Sequence, residues 1–263
     1  MSENLRLLVL NLGVLEALLL AVWVISLRMR DASIVDIVWG PAFAVVGWVT
    51  FAAGDGLQDR RLLLAVLATA WGLRLGVHLA RRNLGKGEDP RYAAMRKRRG
   101  DAFAVQSLYL VFGLQALLVW VVSMPIQAAG FTGATAALGW VDWLGAAIFV
   151  VGLAFEAVGD AQLTRFRNDP ASAGRVLDTG LWRYTRHPNY FGDCLLWWGI
   201  GIIGLGAGAW WALVGPVVMT ILLARVSGKP LLEQSMSKRR PGYDEYVRRT
   251  SGFVPLPPRR PRV

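Results

Sequence analysis

Seven apolar stretches, near residues 5–26, 33–53, 61–82, 102–127, 139–162, 188–206 and 208–226, dominate this chain of 263 residues. As a helix, each is long enough to cross a hydrocarbon core of roughly 30 Å. Lipid offers no partner to an unbonded backbone N–H or C=O, so a spanning element must be a helix or a closed barrel. The alternating ten-residue pattern of a barrel strand does not occur, which leaves helices. With 54% hydrophobic residues and twelve tryptophans, the composition does not suit an ordinary soluble domain. The expected fold is all-α, a single polytopic membrane domain over 1–263 with about seven transmembrane helices.

Charge orders these spans. The connections at 27–32, 81–101 and 163–187 and the tail 225–263 carry 25 of the 29 Lys and Arg. By the positive-inside rule the N-terminus faces out and the C-terminus faces the cytoplasm, as expected of a protein of the bacterial inner membrane. The uncharged loop 128–138 suits the outer side. A net charge of +11 concentrated at membrane boundaries points to anionic lipid rather than nucleic acid, and the basic end 251–263 reads as a flexible tail on that surface. One cysteine, Cys194, and two histidines, His78 and His187, leave no disulfide framework and no His- or Cys-rich metal centre. Oligomeric state is not encoded in any pattern of the chain.

Polar groups at membrane depth mark candidate sites, because charge there is costly. Glu16 stands alone in the first span, where an interhelical hydrogen bond is its simplest role. Asp36 opens the second span, and Arg74 and His78 share one face of the third. A buried Asp36–Arg74 pair is the plain structural expectation. Gln106, Tyr109 and Gln115 line the fourth span. Glu156, Asp160 and Thr164 recur every four residues along the fifth, with Arg165 and Arg167 at its cytoplasmic end. The densest stretch runs from Gly180 to Asp193 (Gly-Leu-Trp-Arg-Tyr-Thr-Arg-His-Pro-Asn-Tyr-Phe-Gly-Asp). Gly180 permits a tight turn and Pro188 suits a first helical position. Arg183, Arg186 and His187 then crowd the positive end of that helix, where anions are favoured.

The cytoplasmic ends of the last three spans thus combine arginines for phosphates, acids for ribose hydroxyls and rings for stacking on a base. Arg165, Arg167, Arg183, Arg186, His187 and Lys229 supply positive charge. Asp160, Asn189, Asp193 and Glu233 accept hydrogen bonds, and Tyr184, Tyr190, Tyr243, Tyr246 and several tryptophans supply rings. No Gly-x-Gly-x-x-Gly follows a strand, and no Walker loop, zinc-hydrolase motif or nucleophile elbow occurs. A nucleotide cofactor would be held between helices.

Trp182-Arg-Tyr-Thr-Arg-His-Pro-Asn-Tyr-Phe-Gly-Asp193 resembles the C-terminal signature of the membrane steroid 5-alpha-reductases and sterol C14-reductases. The whole chain is similar to the bacterial DUF1295 branch of that superfamily, through Ser33-Ile-Val-Asp-Ile-Val-Trp-Gly40, Gly87-Glu-Asp-Pro-Arg-Tyr92, Arg186-to-Asp193 and Lys229-Pro-Leu-Leu-Glu233. The resemblance implies a seven-helix bundle with an NADPH pocket mainly within 156–250. It carries cofactor roles to Asp160, Arg167, Asn189, Asp193 and Tyr246, with Arg186, His187 and Tyr190 in the same motif. The implied activity is hydride transfer to a conjugated C=C of a steroid-like or other lipid. The enone-polarising glutamate and tyrosine of steroid 5-alpha-reductases are not reproduced: span three has no tyrosine, and Asp36 is the stand-in for the glutamate. Tyr109, Asp36 and Arg74 are the candidate proton donor or carbonyl-polarising groups. Isoprenylcysteine carboxyl methyltransferases share the Arg-His-Pro-x-Tyr core, so an S-adenosylmethionine-dependent methyltransferase is one alternative. A non-catalytic lipid-binding membrane protein is another.

Overall fold

Helices form nearly all the regular structure in a computed structural model of the chain, which describes residues 2–131, 133–134, 136–226 and 242–259. They are α1 (Glu3–Met29), α2 (Ile34–Ala53), α3 (Gln58–Asn83), α4 (Pro90–Arg99), α5 (Phe103–Ser107), α6 (Leu114–Val122), α7 (Met124–Ala128), α8 (Trp140–Asn168), α9 (Pro188–Gly206), α10 (Val214–Ile221) and α11 (Tyr243–Arg249). Five stretches among the described residues are long and apolar enough to cross a membrane: α1, α2, α3, the composite Pro90–Val122, and α8. The chain is therefore a helical membrane protein. α9 coincides with the expected span 188–206, and the last apolar segment, Trp210–Val226, is a shorter helix.

The expected fourth span, 102–127, is broken rather than smooth. Gly100 turns with φ 57° after α4, and a wide π segment, Leu108–Gly113, interrupts the helix. At the far end Ser123 donates its hydroxyl to the Trp120 carbonyl (3.0 Å). Pro125, which has no N–H to give, sits at the start of α7.

The chain divides into two compact units, Met1–Asp142 with Ile203–Gly215, and Trp143–Ile202 with Pro216–Val263. In the first unit, glycine sets the closest packing. A methyl added at Gly72 would stand 2.3 Å from the Gly40 carbonyl oxygen, and one at Gly47 2.9 Å from the Ala65 Cα. Pairing of 40 with 72 and 47 with 65 makes α2 and α3 antiparallel, with backbones nearly touching, as small residues allow between membrane helices. Trp39, Phe43 and Trp71 fill the adjoining core edge-to-face, at centroid distances of 5.0–6.1 Å. α1 is tied on by Asn11, which donates to the Thr50 hydroxyl (3.1 Å), and by Trp23, whose indole N–H reaches the Ala104 carbonyl (3.0 Å). The interhelical bond expected of Glu16 belongs to Asn11, while Glu16 lies exposed on α1.

Arg60 is 1% exposed and binds Asp142 through both carboxylate oxygens (2.7 and 3.1 Å). Asp142 also accepts from the Gly139 amide (2.8 Å). Arg61 donates to the Phe51 and Gly54 carbonyls at the end of α2, satisfying groups that a helix terminus leaves over. Both basic residues of this connection are thus structural.

The second unit repeats the packing device. A methyl at Gly152 would stand 2.4 Å from the Leu196 amide nitrogen, and one at Gly192 2.4 Å from that of Glu156. At Gly199 it would meet the Gly145 oxygen at 2.6 Å. Gly145, Gly152 and Gly159 on α8 and Gly192 and Gly199 on α9 recur every seven residues, so the two helices run antiparallel along one glycine seam.

Candidate functional site

That seam positions the acids of α8 against the start of α9. The turn ahead of α9 folds as expected: Gly180 has φ 59°, and Pro188 is the first residue of the helix. The Leu181 amide donates to Gln162 Oε1 (3.0 Å) and the Trp182 indole to the Gly159 carbonyl (3.1 Å), which fix the turn on α8. Asn189 then donates its amide to Asp160 Oδ1 (3.1 Å). Glu156, Asp160 and Asp193 are all buried, at 3%, 6% and 7% exposure. The His187 ring stacks on Tyr190 with centroids 5.5 Å apart and planes 8° from parallel.

A C-terminal strap closes over the same turn. Thr185 donates its hydroxyl to the Phe253 carbonyl (2.8 Å), the Arg186 amide to the Ser251 carbonyl (2.9 Å), and the Leu256 amide to the Tyr184 carbonyl (3.0 Å). The Arg186 guanidinium donates to the Val247 carbonyl (3.0 Å). Tyr246 donates its phenol to the Trp182 carbonyl (2.5 Å), and Arg249 pairs with Asp178. Burial, and next Tyr243 nearby, push the Tyr246 phenol above its ordinary value, so it stays a neutral donor through the physiological range.

Of the residues expected to bind a cofactor, Asp160 and Asn189 are joined directly. Arg186, His187, Tyr190, Asp193 and Tyr246 belong to the same unit, each at least half-buried. Arg165, Arg167 and Arg183 are exposed, at the end of α8 and on the turn. Lys229 and Glu233 lie outside the described residues. The donor set fits a nucleotide: buried carboxylates and an amide for hydroxyls, stacked rings for a planar base, and exposed guanidiniums for phosphates.

The first unit holds a second polar centre. Asp36 accepts from the Tyr92 phenol (2.8 Å) and from Arg91 Nη2 (2.9 Å). Both partners come from α4, while Arg74, the partner expected from the sequence, lies half-buried on α3. Asp89 caps α4 through the Arg91 amide (2.9 Å) ahead of Pro90 and also holds the Arg91 guanidinium. Glu88 accepts from the Ala32 amide (2.8 Å) and binds Arg96 through both oxygens (2.9 and 2.7 Å). Ser33 donates to Asp31 and accepts from the Asp89 amide (3.3 Å). Burial raises the Glu88 carboxyl, but the hydrogen bonds from Arg96 and Ala32 outweigh it and hold the group below its ordinary range. The same opposition, with Arg91 as the donor, holds Asp89 low.

Tyr109, a candidate proton donor, is 57% exposed within the π segment, whereas Tyr92 is 7% exposed and touches Asp36. The missed signal was Asp89-Pro90, a cap followed by a first-turn proline, which starts a helix in what otherwise reads as a basic loop.

These features define a membrane protein whose two polar centres are built from the stretches 31–36 with 88–96 and 156–193 with 246–256. The chain belongs to the family described as "Protein of unknown function (DUF1295)", whose model matches residues 22–250. It is also similar to "Uncharacterized protein C594.04c" of Schizosaccharomyces pombe (strain 972 / ATCC 24843), with 26% identity over 268 aligned positions. That alignment covers 89% of this chain and 75% of the fission-yeast protein. No solved structure matches.

Proposed function

We propose that this protein is an NADPH-dependent integral-membrane reductase acting on a C=C conjugated with a carbonyl in a steroid-like or other lipid. The observation that carries the reading is the Asn189–Asp160 hydrogen bond, with His187 stacked on Tyr190 beside it. It joins residues that the resemblance to steroid 5-alpha-reductases and sterol C14-reductases names for the cofactor. In this reading Asp160 accepts from ribose hydroxyls, Asn189 orients that carboxylate, and Arg165, Arg167 and Arg183 meet phosphates. NADPH, when bound, supplies a hydride. Tyr92, which donates to the half-buried Asp36, is the phenol this reading assigns to proton supply, in place of the exposed Tyr109. A site closed to water strengthens such a hydrogen bond to a developing enolate. α9 and Trp210–Val226 complete seven spans, with the N-terminus outside and the cofactor side in the cytoplasm.

The test is calorimetric titration of the detergent-purified protein with NADPH, NADH and S-adenosylmethionine, beside Asn189→Ala and Arg167→Ala. NADPH binding that falls at least about tenfold in Asn189→Ala supports the reading, because an interaction of about 1.4 kcal/mol is tenfold in affinity. Binding of S-adenosylmethionine alone makes the protein a methyltransferase. No binding of any of the three overturns an enzymatic nucleotide site. Once a lipid substrate is found, Tyr92→Phe is expected to lower turnover with cofactor affinity unchanged, and Tyr109→Phe to leave both intact.

A further inference from the structure

Four arginines line one cavity of about 350 Å³ beneath the C-terminal strap: Arg186, Arg248, Arg249 and Arg259. Its size lies within the roughly 300–1,000 Å³ of small-molecule sites. Ser251 and Gly252 form part of the wall, and no carboxylate occurs among the described residues that line it. Asp178 pairs with Arg249 but is not part of that lining.

Two basic residues at the end of α11 are what a helix C-terminus favours on its own. That does not account for Arg186, which precedes α9, or for Arg259, ten residues beyond α11. Backbone bonds hold these separate segments together: the Arg259 amide donates to the Arg249 carbonyl (2.9 Å), the Arg186 amide to Ser251, and the Leu256 amide to Tyr184. Guanidiniums brought to one cavity in this way present planar forks that match phosphate oxygens.

We propose that this cavity binds a phosphate group, as a free anion or as the ester of a lipid headgroup, between Arg248, Arg249, Arg259 and Arg186. The proposal does not rest on NADPH binding. Arg248 and Arg259 are exposed, so replacing them leaves the buried contacts of Arg186 and the Arg249–Asp178 pair in place.

The experiment compares the wild type, R248Q/R259Q and a control, K97Q/R98Q, which removes two exposed charges from α4. In a neutral detergent, the melting temperature is followed as inorganic phosphate replaces chloride at constant ionic strength. In a second arm the proteins are held in nanodiscs of phosphatidylglycerol or of phosphatidylcholine. A ligand that binds the folded state raises the melting temperature with its concentration. Stabilisation by phosphate that weakens at least about tenfold in R248Q/R259Q and not in K97Q/R98Q identifies a soluble phosphate, since Arg–phosphate contacts are among the stronger hydrogen bonds. A response to phosphatidylglycerol alone, lost in the same variant, identifies a headgroup. No response in either arm, or one shared equally by both double variants, overturns the proposal.

Discussion

The α2–α3 pair and the α8–α9 pair use the same packing device for different ends. Each is antiparallel and held by glycines so close that an added methyl would strike the partner backbone at 2.3–2.4 Å at the tightest points. Beside the first seam stand Trp39, Phe43 and Trp71, an apolar aromatic core. Beside the second stand Glu156, Asp160, Asn189 and Asp193, all from the facing surfaces of two helices. Close approach alone is therefore neutral with respect to role. The side chains one turn from the glycines decide whether a seam becomes core or site. Burying the acids is sustainable because neighbouring groups meet them, as Asn189 does Asp160.

If the seams are equivalent as packing, they should fail equally when filled. Gly72→Val and Gly192→Val each force backbone apart, where ordinary overpacking already costs about 1–3 kcal/mol. Both are expected to lose monodisperse protein on extraction, the largest effects foreseen here. A Gly192→Val protein with wild-type yield and melting temperature would break the comparison. A loss of similar size awaits Arg60→Met, which leaves Asp142 buried without its guanidinium partner at a cost of about 3–5 kcal/mol. The double variant Arg60→Met/Asp142→Leu should recover most of it, because neither charge is then stranded. A double variant no more stable than the single, in thermal melts, would count against that account.

The next contrast separates core from site. Phe43 is fully buried, so Phe43→Ala should cost about 3–5 kcal/mol of stability. Asn189→Ala removes one hydrogen bond and leaves a buried carboxyl oxygen of Asp160 short of a donor, at about 1–3 kcal/mol of stability. Its main expected effect is on nucleotide binding. The pair is informative because the two losses should appear in different assays: melting for Phe43→Ala, titration for Asn189→Ala. Equal destabilisation by both, with binding unchanged in each, would mean that the α8–α9 seam is core as well.

Much of this was legible in the sequence where chemistry is local. The apolar lengths gave helices, Pro188 the start of α9, and the four-residue recurrence of Glu156 and Asp160 a shared buried face. What escaped depends on contacts distant in sequence. Asp36 meets Tyr92 across 56 positions and Thr185 meets Phe253 across 68, and no periodicity reports such pairs. The heptad glycines at 145, 152 and 159 and at 192 and 199 were visible, but glycine is common in membrane helices and its spacing names no partner. Tyr109 shows the converse. It lies in a span by hydropathy and within the composite Pro90–Val122, but hydropathy does not report that it is 57% exposed there.

The smallest expected effects concern the polar ties that flank the two seams, which should fail at opposite ends of the pH scale. Glu88 is held below its ordinary value of 4.5 by Arg96 and Ala32. The folded clasp therefore binds its proton less readily than the unfolded chain does. Its contribution is complete above about pH 4.5 and is lost as the pH falls through the folded-state value. Tyr246 is shifted the other way, above its ordinary 10.0, by burial. Its contribution is complete below about pH 10 and is lost as the pH rises through the folded-state value. Melting temperature against pH should therefore drop at both extremes. Glu88→Gln should flatten the acid limb alone and Tyr246→Phe the alkaline limb alone. Acid sensitivity that persists in Glu88→Gln would move the weak point elsewhere, with Asp89→Asn as the next variant, since Arg91 holds that carboxyl low in the same way.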